Sequence, residues 1–299
     1  MNKKIEQLAI IGSTASGKTS LAVKVAQQKN AHILSLDSLS IYKEINIVSA
    51  KPAPEERGGI KHFGIDVIFP DEEFDVTTFI SLYQEAYQCC MKENKPLVIV
   101  GGTGFYLKML LEGVSDLPDI SSDTKEKTAE YLLDLSQAYN DLYALDPDHM
   151  SAIKSNDRYR IEKAWHLYLE SGMIPSQYFQ AHAPKPYIKG DLAIYQIVWD
   201  REILRQRIAL RTKMMVEEGL IDEICMLEKK YGRAPNCMKA IGIKETLSYL
   251  DGIYTKDEMI QKISTNTARL AKRQNTFNNS QFENVVKGSV ENLEKILLD

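Results

Sequence analysis

Residues 12–19 read Gly-Ser-Thr-Ala-Ser-Gly-Lys-Thr, the pattern GxxxxGK[ST]. An apolar run at 7–11 precedes this segment, and a helical pattern begins just after it, near Leu21. In that context the glycines let backbone N–H groups converge on phosphate oxygens, Lys18 reaches the outer phosphate, and the Thr19 hydroxyl can ligate Mg²⁺. The sequence therefore predicts a phosphate-binding loop for a diphosphate or polyphosphate, made of Gly12, Ser13, Thr14, Ala15, Ser16, Gly17, Lys18 and Thr19.

The loop alone does not determine which phosphate chemistry follows. A GTPase would need DxxG and NKxD motifs, but Asn94-Lys95-Pro96 is followed by Leu97 and no Asp has a Gly three residues later. That class is therefore disfavoured. A nucleoside or metabolite kinase stays open, because the acceptor site of such an enzyme is hard to recognise in one sequence. A non-enzymatic, nucleotide-dependent RNA-binding protein also stays open.

Short apolar runs that alternate with helical patterns must position this loop. Besides 7–11, the strand candidates are Ile33–Leu36, which ends at Asp37, Phe63–Val67, Pro96–Val100 and Leu192–Trp199. Continuous apolar strands between helices are typical of a parallel sheet buried on both faces. The sequence thus predicts an α/β fold. After the last of these strands we expect a helical C-terminal part with helices at 201–216, 220–231, 243–250 and 256–276.

The middle of the chain has a different character. No strand pattern occurs between Pro118 and Pro186, and helix-breaking prolines bound the segment on both sides. We therefore expect a catalytic core formed by residues 1–117 and 187–299, with a helical insertion at 118–186.

Composition excludes several protein classes. The 37 basic and 41 acidic side chains give a net charge of −4, which excludes a wholly basic nucleic-acid binder but permits local basic patches. No apolar run is long enough to span a bilayer, and the first residues are typical of a strand rather than of a signal peptide, so we expect a cytoplasmic protein without a membrane partner.

The cysteines and histidines are not arranged for a disulfide framework or a metal cage. Four cysteines without CxxC spacing predict reduced thiols, and Cys89-Cys90 is interpreted as core packing on a helix. The five histidines are scattered and form no HExxH motif, which disfavours a zinc hydrolase.

Several further segments share one resemblance. They are 37–43 (Asp-Ser-Leu-Ser-Ile-Tyr-Lys), 50–52 (Ala-Lys-Pro), 101–106 (Gly-Gly-Thr-Gly-Phe-Tyr), 156–160, 207–211, 240–242 and 270–274. With the phosphate-binding loop, they make the chain similar to the tRNA dimethylallyltransferases over almost its whole length and in the family's order. The chain departs from many members at Ser40 (Gln), at 47–49 (Ile-Val-Ser for Ile-Gly-Thr) and at Phe277 (Trp). It lacks the zinc-finger extension of eukaryotic members, so it resembles the bacterial type.

The resemblance implies a fold, a reaction and a set of roles. The fold is a P-loop NTPase-like core with a helical insertion that contacts tRNA. The reaction transfers the dimethylallyl group of dimethylallyl diphosphate to the N6 amine of the adenosine next to the anticodon and releases diphosphate. Lys18, Thr19 with Mg²⁺, and Arg211 would stabilise the leaving diphosphate, Thr103 would lie at the site, and Asp37 would act as general base. We expect a monomer.

The target base of a stacked loop must be turned out to reach such a site, so the protein must also grip RNA. Basic side chains cluster around Arg160, around Lys239 and around Arg273, and these clusters are dense enough for phosphate contacts. The expected tRNA-binding residues are Asp37, Ser38, Leu39, Ser40, Thr103, Lys125, Tyr159, Arg160, Lys163, Lys239, Gly242 and Lys244.

Overall fold

A computed structural model describes residues 4–298 and contains one six-stranded sheet. The strands are β1 (Gln7–Gly12), β2 (His32–Ser35), β3 (His62–Phe63), β4 (Leu97–Gly101), β5 (Ala193–Ile197) and β6 (Val286–Gly288). Their order across the sheet is β3-β2-β4-β1-β5-β6, and every neighbouring pair is parallel. The predicted α/β fold with a parallel sheet is confirmed.

Helices alternate with the strands and then dominate the C-terminal part. They are α1 (Lys18–Lys29), α2 (Val76–Glu93), α3 (Gly104–Glu112), α4 (Ser122–Tyr131), α5 (Leu135–Leu145), α6 (Pro147–Met150), α7 (Arg158–Ser171), α8 (Pro175–Ala181), α9 (Arg201–Glu217), α10 (Leu220–Tyr231), α11 (Ile243–Leu250), α12 (Lys256–Gln281) and α13 (Val290–Leu298). Within residues 4–298, no helix is long and apolar enough to cross a membrane.

The central strands bring three chemically important turns to one edge of the sheet. All residues of β1 and β4 are buried, as a parallel sheet covered on both faces requires. Ile11 of β1 lies opposite Gly101 of β4, and Ser35 of β2 lies opposite Val100. The chain leaves these strands at their carboxyl ends, where parallel sheets build their sites.

Two strand predictions were wrong. The candidate at 63–67 pairs only over His62–Phe63, because the chain turns at Gly64 and Asp66, which both have positive φ. The strand near 192–199 is not the last one, since β6 pairs with β5 far along the chain. This three-residue strand has two exposed residues and therefore no continuous apolar run. The last long helix also extends past the predicted residue 276, to Gln281.

The chain divides into two compact units. The described residues up to Leu110 and those from Ile188 onward form the first unit, and Leu111–Tyr187 form the second. The expected insertion, residues 118–186, falls within the second unit. That unit is a helical bundle around Leu142, Ile161 and Trp165, whose indole Nε1 donates to the Ala138 carbonyl at 3.1 Å.

The interpretation of Cys89-Cys90 as core packing holds for one residue only. Cys90 is fully buried, whereas Cys89 is half-buried, donates to Glu93 and accepts a hydrogen bond from the exposed Lys61. Consecutive residues on a helix point about 100° apart, so only one of them can face the sheet.

Candidate active site

The phosphate-binding loop joins β1 to α1 and is held from outside by three side chains. Trp199 Nε1 donates to the Ser16 carbonyl at 2.9 Å, and Arg207 Nε donates to the Ala15 carbonyl at 2.9 Å. The Arg207 guanidinium also stacks 4.6 Å above the Trp199 ring. Because these two side chains bind carbonyls of the loop, they hold its backbone in place before any anion binds.

Gln274 of α12 holds the loop from another side, since its Oε1 accepts the Thr14 amide at 3.0 Å. No role was expected for Trp199, Arg207 or Gln274 from the sequence. Arg207 and Gln274 lie in two of the segments that carry the family resemblance, and this was the only sequence signal that pointed to them. No local pattern predicts a contact between residues 260 positions apart.

Lys18, the first residue of α1, lies at the centre of the site. Its Nζ donates to the Ser13 carbonyl at 3.1 Å. Burial lowers the pKa of Lys18 to about 8, and the nearby carboxylate of Asp37 opposes that shift while the Arg211 guanidinium adds to it. An ammonium group in such surroundings gains most when an anion binds beside it.

Asp37 follows β2 and serves the local backbone as well as the site. Its Oδ1 accepts the amide of Leu39 at 2.8 Å and that of Ser40 at 3.1 Å, a turn in which Asp is favoured. Burial lowers the pKa values of Lys18 and Arg211, and the charge of Asp37 opposes this lowering. Asp37 is therefore both a turn-capping residue and the acidic group of a cluster with two cations.

Arg211 reaches this cluster from α9. One of its amino groups donates to the carbonyl of Ala50 at 3.4 Å, and burial lowers its pKa while Asp37 raises it. The segment around Ala50 is held by the buried Lys51, whose Nζ donates to the Tyr42 carbonyl at 2.8 Å and to Asp66 at 2.6 Å. The Ala-Lys-Pro segment thus presents a carbonyl to Arg211.

A cavity of about 640 Å³ opens beside these groups. Lys18, Asp37 and Arg211 line it together with Thr103, which directly precedes α3. An aromatic group forms part of its wall: the rings of Phe74 and Tyr106 meet edge to face at 5.5 Å, and Tyr42 packs against Phe74. Burial raises the pKa values of both tyrosines to about 12, so their hydroxyls remain protonated.

Two smaller cavities lie around the start of α1. Thr19, Arg207 and Arg211 line one of about 350 Å³, and Thr19, Asp37 and Ser40 line one of about 60 Å³. Thr19 is exposed to this space, whereas Ser40 is 4% exposed. The Thr19 hydroxyl is a hard oxygen donor beside the loop, so it can serve as one ligand of Mg²⁺, which keeps most of its ligands as water and phosphate oxygens.

The residues expected to bind tRNA lie in both units. Asp37, Ser38, Leu39, Thr103, Lys239 and Gly242 line the large cavity, while the buried Ser40 does not. Lys244 is exposed on α11. In the second unit Lys125 is exposed on α4. The remaining expected residues, Tyr159, Arg160 and Lys163, lie on α7. Arg160 pairs with Asp157, and Lys163 stacks on the Tyr159 ring.

One cluster was not expected from the scattered histidines. Side-chain atoms of His32, Cys89 and Glu93 lie within 4.8 Å of one another at the far end of β2. They are already joined by hydrogen bonds, with His32 Nε2 2.9 Å from Glu93 Oε2, and the ammonium groups of Lys61 and Lys95 lie 3.2 Å from Cys89 Sγ and 3.3 Å from Glu93. Two cations beside the cluster oppose binding of a third.

Comparison with known proteins shows the family. A family model described as IPP transferase matches residues 40–281, and one described as isopentenyl transferase matches residues 5–66. A tRNA dimethylallyltransferase from Sulfurovum sp. is 66% identical over 298 residues, covering 100% of this chain and 99% of that protein. Another from Sulfurimonas denitrificans is 54% identical, covering 98% of each.

Solved structures agree with these relatives. The tRNA isopentenylpyrophosphate transferase of Bacillus halodurans superposes with a TM-score of 0.71 at 29% identity, covering 98% of this chain and 96% of its own. A eukaryotic dimethylallyltransferase captured acting on tRNA gives a TM-score of 0.83 at 26% identity, covering 94% and 74%. The chain therefore belongs to the IPP transferase family, together with relatives named tRNA dimethylallyltransferase.

Proposed function

We propose that this protein transfers the dimethylallyl group of dimethylallyl diphosphate to the N6 amine of the adenosine next to the tRNA anticodon and releases diphosphate. The observation that carries the proposal is the cavity in which Lys18, Asp37 and Arg211 come together beside a phosphate-binding loop. The loop and the two cations can bind an anion at one end of this cavity, and the carboxylate of Asp37 lines the same cavity. Family membership supplies the substrate class.

The donor end is built to stabilise a leaving group. As the bond between the allylic carbon and the diphosphate oxygen breaks, the electron pair stays on diphosphate, so catalysis requires positive charge at those oxygens. The amides of the loop, Lys18 and Arg211 supply it. Arg207 lines the adjacent cavity and adds a third cation near the loop.

The Mg²⁺ ion fits here as a partner of the diphosphate, with Thr19 as its protein ligand. Bound there, the ion would neutralise charge on the leaving diphosphate. The exposed hydroxyl at the start of α1, facing two cavities that Arg211 also lines, supports this assignment.

The acceptor end needs a group that removes a proton. The adenine N6 amine attacks the allylic carbon, a bond between N6 and that carbon forms, and one N6 proton moves to the Asp37 carboxylate. Both turn amides bind Oδ1 of Asp37, so Oδ2 is the atom that takes this proton. The aromatic group around Phe74 and Tyr106 gives a turned-out base a surface on which to stack.

The anticodon arm would be gripped by the exposed basic residues of both units, including Arg160, Lys163, Lys239 and Lys244. We propose that one chain suffices for the reaction, since the groups proposed for the chemistry all come from the first unit of a single chain. A cytoplasmic location of the reaction fits a tRNA substrate.

The test is to incubate the protein with Mg²⁺, unmodified tRNA and dimethylallyl diphosphate labelled in the allyl group. We expect label in tRNA at the adenosine beside the anticodon, release of one diphosphate per transfer, and no reaction with a tRNA whose adenosine is replaced by guanosine. A parallel reaction with labelled ATP and small acceptors tests for a kinase. ATP-dependent phosphorylation without prenyl transfer would overturn the proposal.

A further inference from the structure

One buried carboxylate, that of Glu223, takes no direct part in the proposed reaction. Glu223 of α10 is 8% exposed, and its carboxylate accepts three consecutive backbone amides. Oε2 accepts those of Asn46 and Ile47 at 2.9 and 2.8 Å, and Oε1 accepts that of Val48 at 3.0 Å. Charge-assisted hydrogen bonds of this kind are strong, and a buried carboxylate must be satisfied in this way. The backbone of 46–48 is therefore fixed by a residue more than 170 positions away.

This backbone leads into one wall of the 640 Å³ cavity. Val48, Ser49 and Ala50 line the cavity, and Ala50 presents its carbonyl to Arg211. The Glu223 carboxylate therefore holds the backbone of Val48, and the next two residues, Ser49 and Ala50, also line the site.

The side chain of Val48 abuts Gly242, which lines the same cavity. A Cβ at position 242 would lie 2.5 Å from Val48 Cγ2, and Gly242 has a φ of 95° that side chains rarely adopt. The Gly242 amide is itself bound by Oε2 of the buried Glu245 at 2.7 Å, while Oε1 of Glu245 accepts Asn266 Nδ2 at 2.7 Å. Each side of this contact is thus held by its own glutamate.

We propose that Glu223 is a positioning residue that sets the width of the acceptor cavity by holding Val48 against Gly242. The inference rests on the proposed function for the nature of the acceptor, the turned-out adenosine. Glu223 lines no part of this cavity and therefore contacts neither substrate. It determines where residues 48–50 lie beside Gly242, and so how the base presents its amine to the allylic carbon.

The chemistry of the carboxylate gives a sharp variant. In Glu223→Gln one oxygen becomes an NH₂ group, so at least one of the three amides faces a donor instead of an acceptor. The size of the side chain is retained. The matched control is Glu228→Gln on the same helix, where the carboxylate pairs with Arg233 on the exposed surface.

The first measurement is turnover with both substrates saturating. Glu223→Gln should lower kcat ~10-fold, since small displacements of reacting groups cost one to two orders of magnitude. The affinity for tRNA should change less than about twofold, because the exposed basic residues are untouched. Glu228→Gln should match the wild type. Unchanged turnover in Glu223→Gln would overturn the proposal.

A double-mutant cycle shows whether Glu223 acts through Val48. Val48→Ala should also lower kcat several-fold, and the double variant should be no more than about twofold slower than the slower single variant, because contacting residues that act as one unit are not additive. Multiplicative effects would show that Glu223 acts elsewhere. If Glu223→Gln failed to fold, unchanged turnover in Val48→Ala would still refute the inference.

Amide hydrogen exchange provides a measurement independent of activity. The peptide that contains residues 46–48 should exchange at least ~10-fold faster in Glu223→Gln than in the wild type, and Glu228→Gln should not change it. Equal protection of this peptide in all three proteins would refute the positioning role of Glu223, whatever their activity. A wild type that transfers no prenyl group would refute the proposed function alone, since the exchange result still tests whether Glu223 holds residues 46–48.

Discussion

Replacing Asp37 by Asn separates its two roles. Asn keeps an Oδ1 that can accept the amides of Leu39 and Ser40, so the turn after β2 is retained. The variant loses the negative charge and the proton acceptor. We expect turnover to fall by ~10² to 10⁴-fold, the usual contribution of a general base, while folding and tRNA binding at pH 7 stay close to those of the wild type.

Two comparison variants separate chemistry from capping. Asp37→Ala removes the cap as well, so it should match the turnover of Asp37→Asn but lose a further ~0.5 to 2 kcal/mol of stability, seen as a Tm lower by about 2–4 °C per kcal/mol. Asp200 is the matched control, since its Oδ1 accepts the amides two and three residues later, at 2.8 and 3.2 Å, as Asp37 does. Asp200→Asn should keep wild-type turnover.

The same change has a second, electrostatic consequence. Asp37 raises the pKa of Lys18, which burial lowers to about 8, so the Asn variant should have a Lys18 pKa below that value. Its affinity for the alkyl diphosphate should therefore begin to fall at a lower pH than in the wild type, as measured by calorimetric titration across pH 6.5 to 9.

Either of two results would contradict a general-base role for Asp37. Near wild-type turnover in Asp37→Asn, at a saturating concentration of both substrates, would show that Asp37 only caps the turn and that another group takes the proton. Equal losses of folding, tRNA binding and diphosphate binding would show a structural role. Single-turnover measurements should be used, because slow product release can hide a loss in the chemical step.

Three further outcomes are expected. Lys18→Ala and Thr19→Ala should each lower transfer ~100-fold or more, with tRNA affinity by filter binding unchanged, because they remove a charge and a metal ligand at the leaving group. Between about pH 7 and pH 8 the diphosphate keeps its full charge, so wild-type affinity for the alkyl diphosphate should be constant there and should fall above pH 8, because only protonated Lys18 attracts the anion. Lys18→Ala should abolish the fall above pH 8, and a wild-type affinity that stayed constant up to pH 9 would contradict the prediction. A quadruple alanine variant should weaken tRNA binding and lower its log-log salt slope by ~0.7 to 0.9 for each lost phosphate contact, whereas an unchanged slope would show a solvated surface. Its positions are Arg160, Lys163, Lys239 and Lys244.

Local features of this protein could be predicted from its sequence. The turn between β1 and α1, the apolar strands at 7–11 and 96–100, and the helices α10 and α11, which begin and end at the predicted residues, all follow from patterns within a few turns of chain. A buried strand that ends at Asp37 and another that ends at Gly101-Gly102 also indicated that both turns lie at one edge of a parallel sheet. Such features depend on periodicity and turn chemistry, which neighbouring residues carry.

Contacts between distant side chains depend on how the helices and strands pack. Glu223 has the sequence signature of an ordinary helix carboxylate, yet packing of α10 places it against three backbone amides that lead into the cavity wall. Likewise, β6 is too short and too exposed to be recognised, and its partner β5 defines it as a strand. Hydrogen bonds across such separations depend on how elements pack rather than on local propensity, so a single sequence contains no pattern from which they can be predicted.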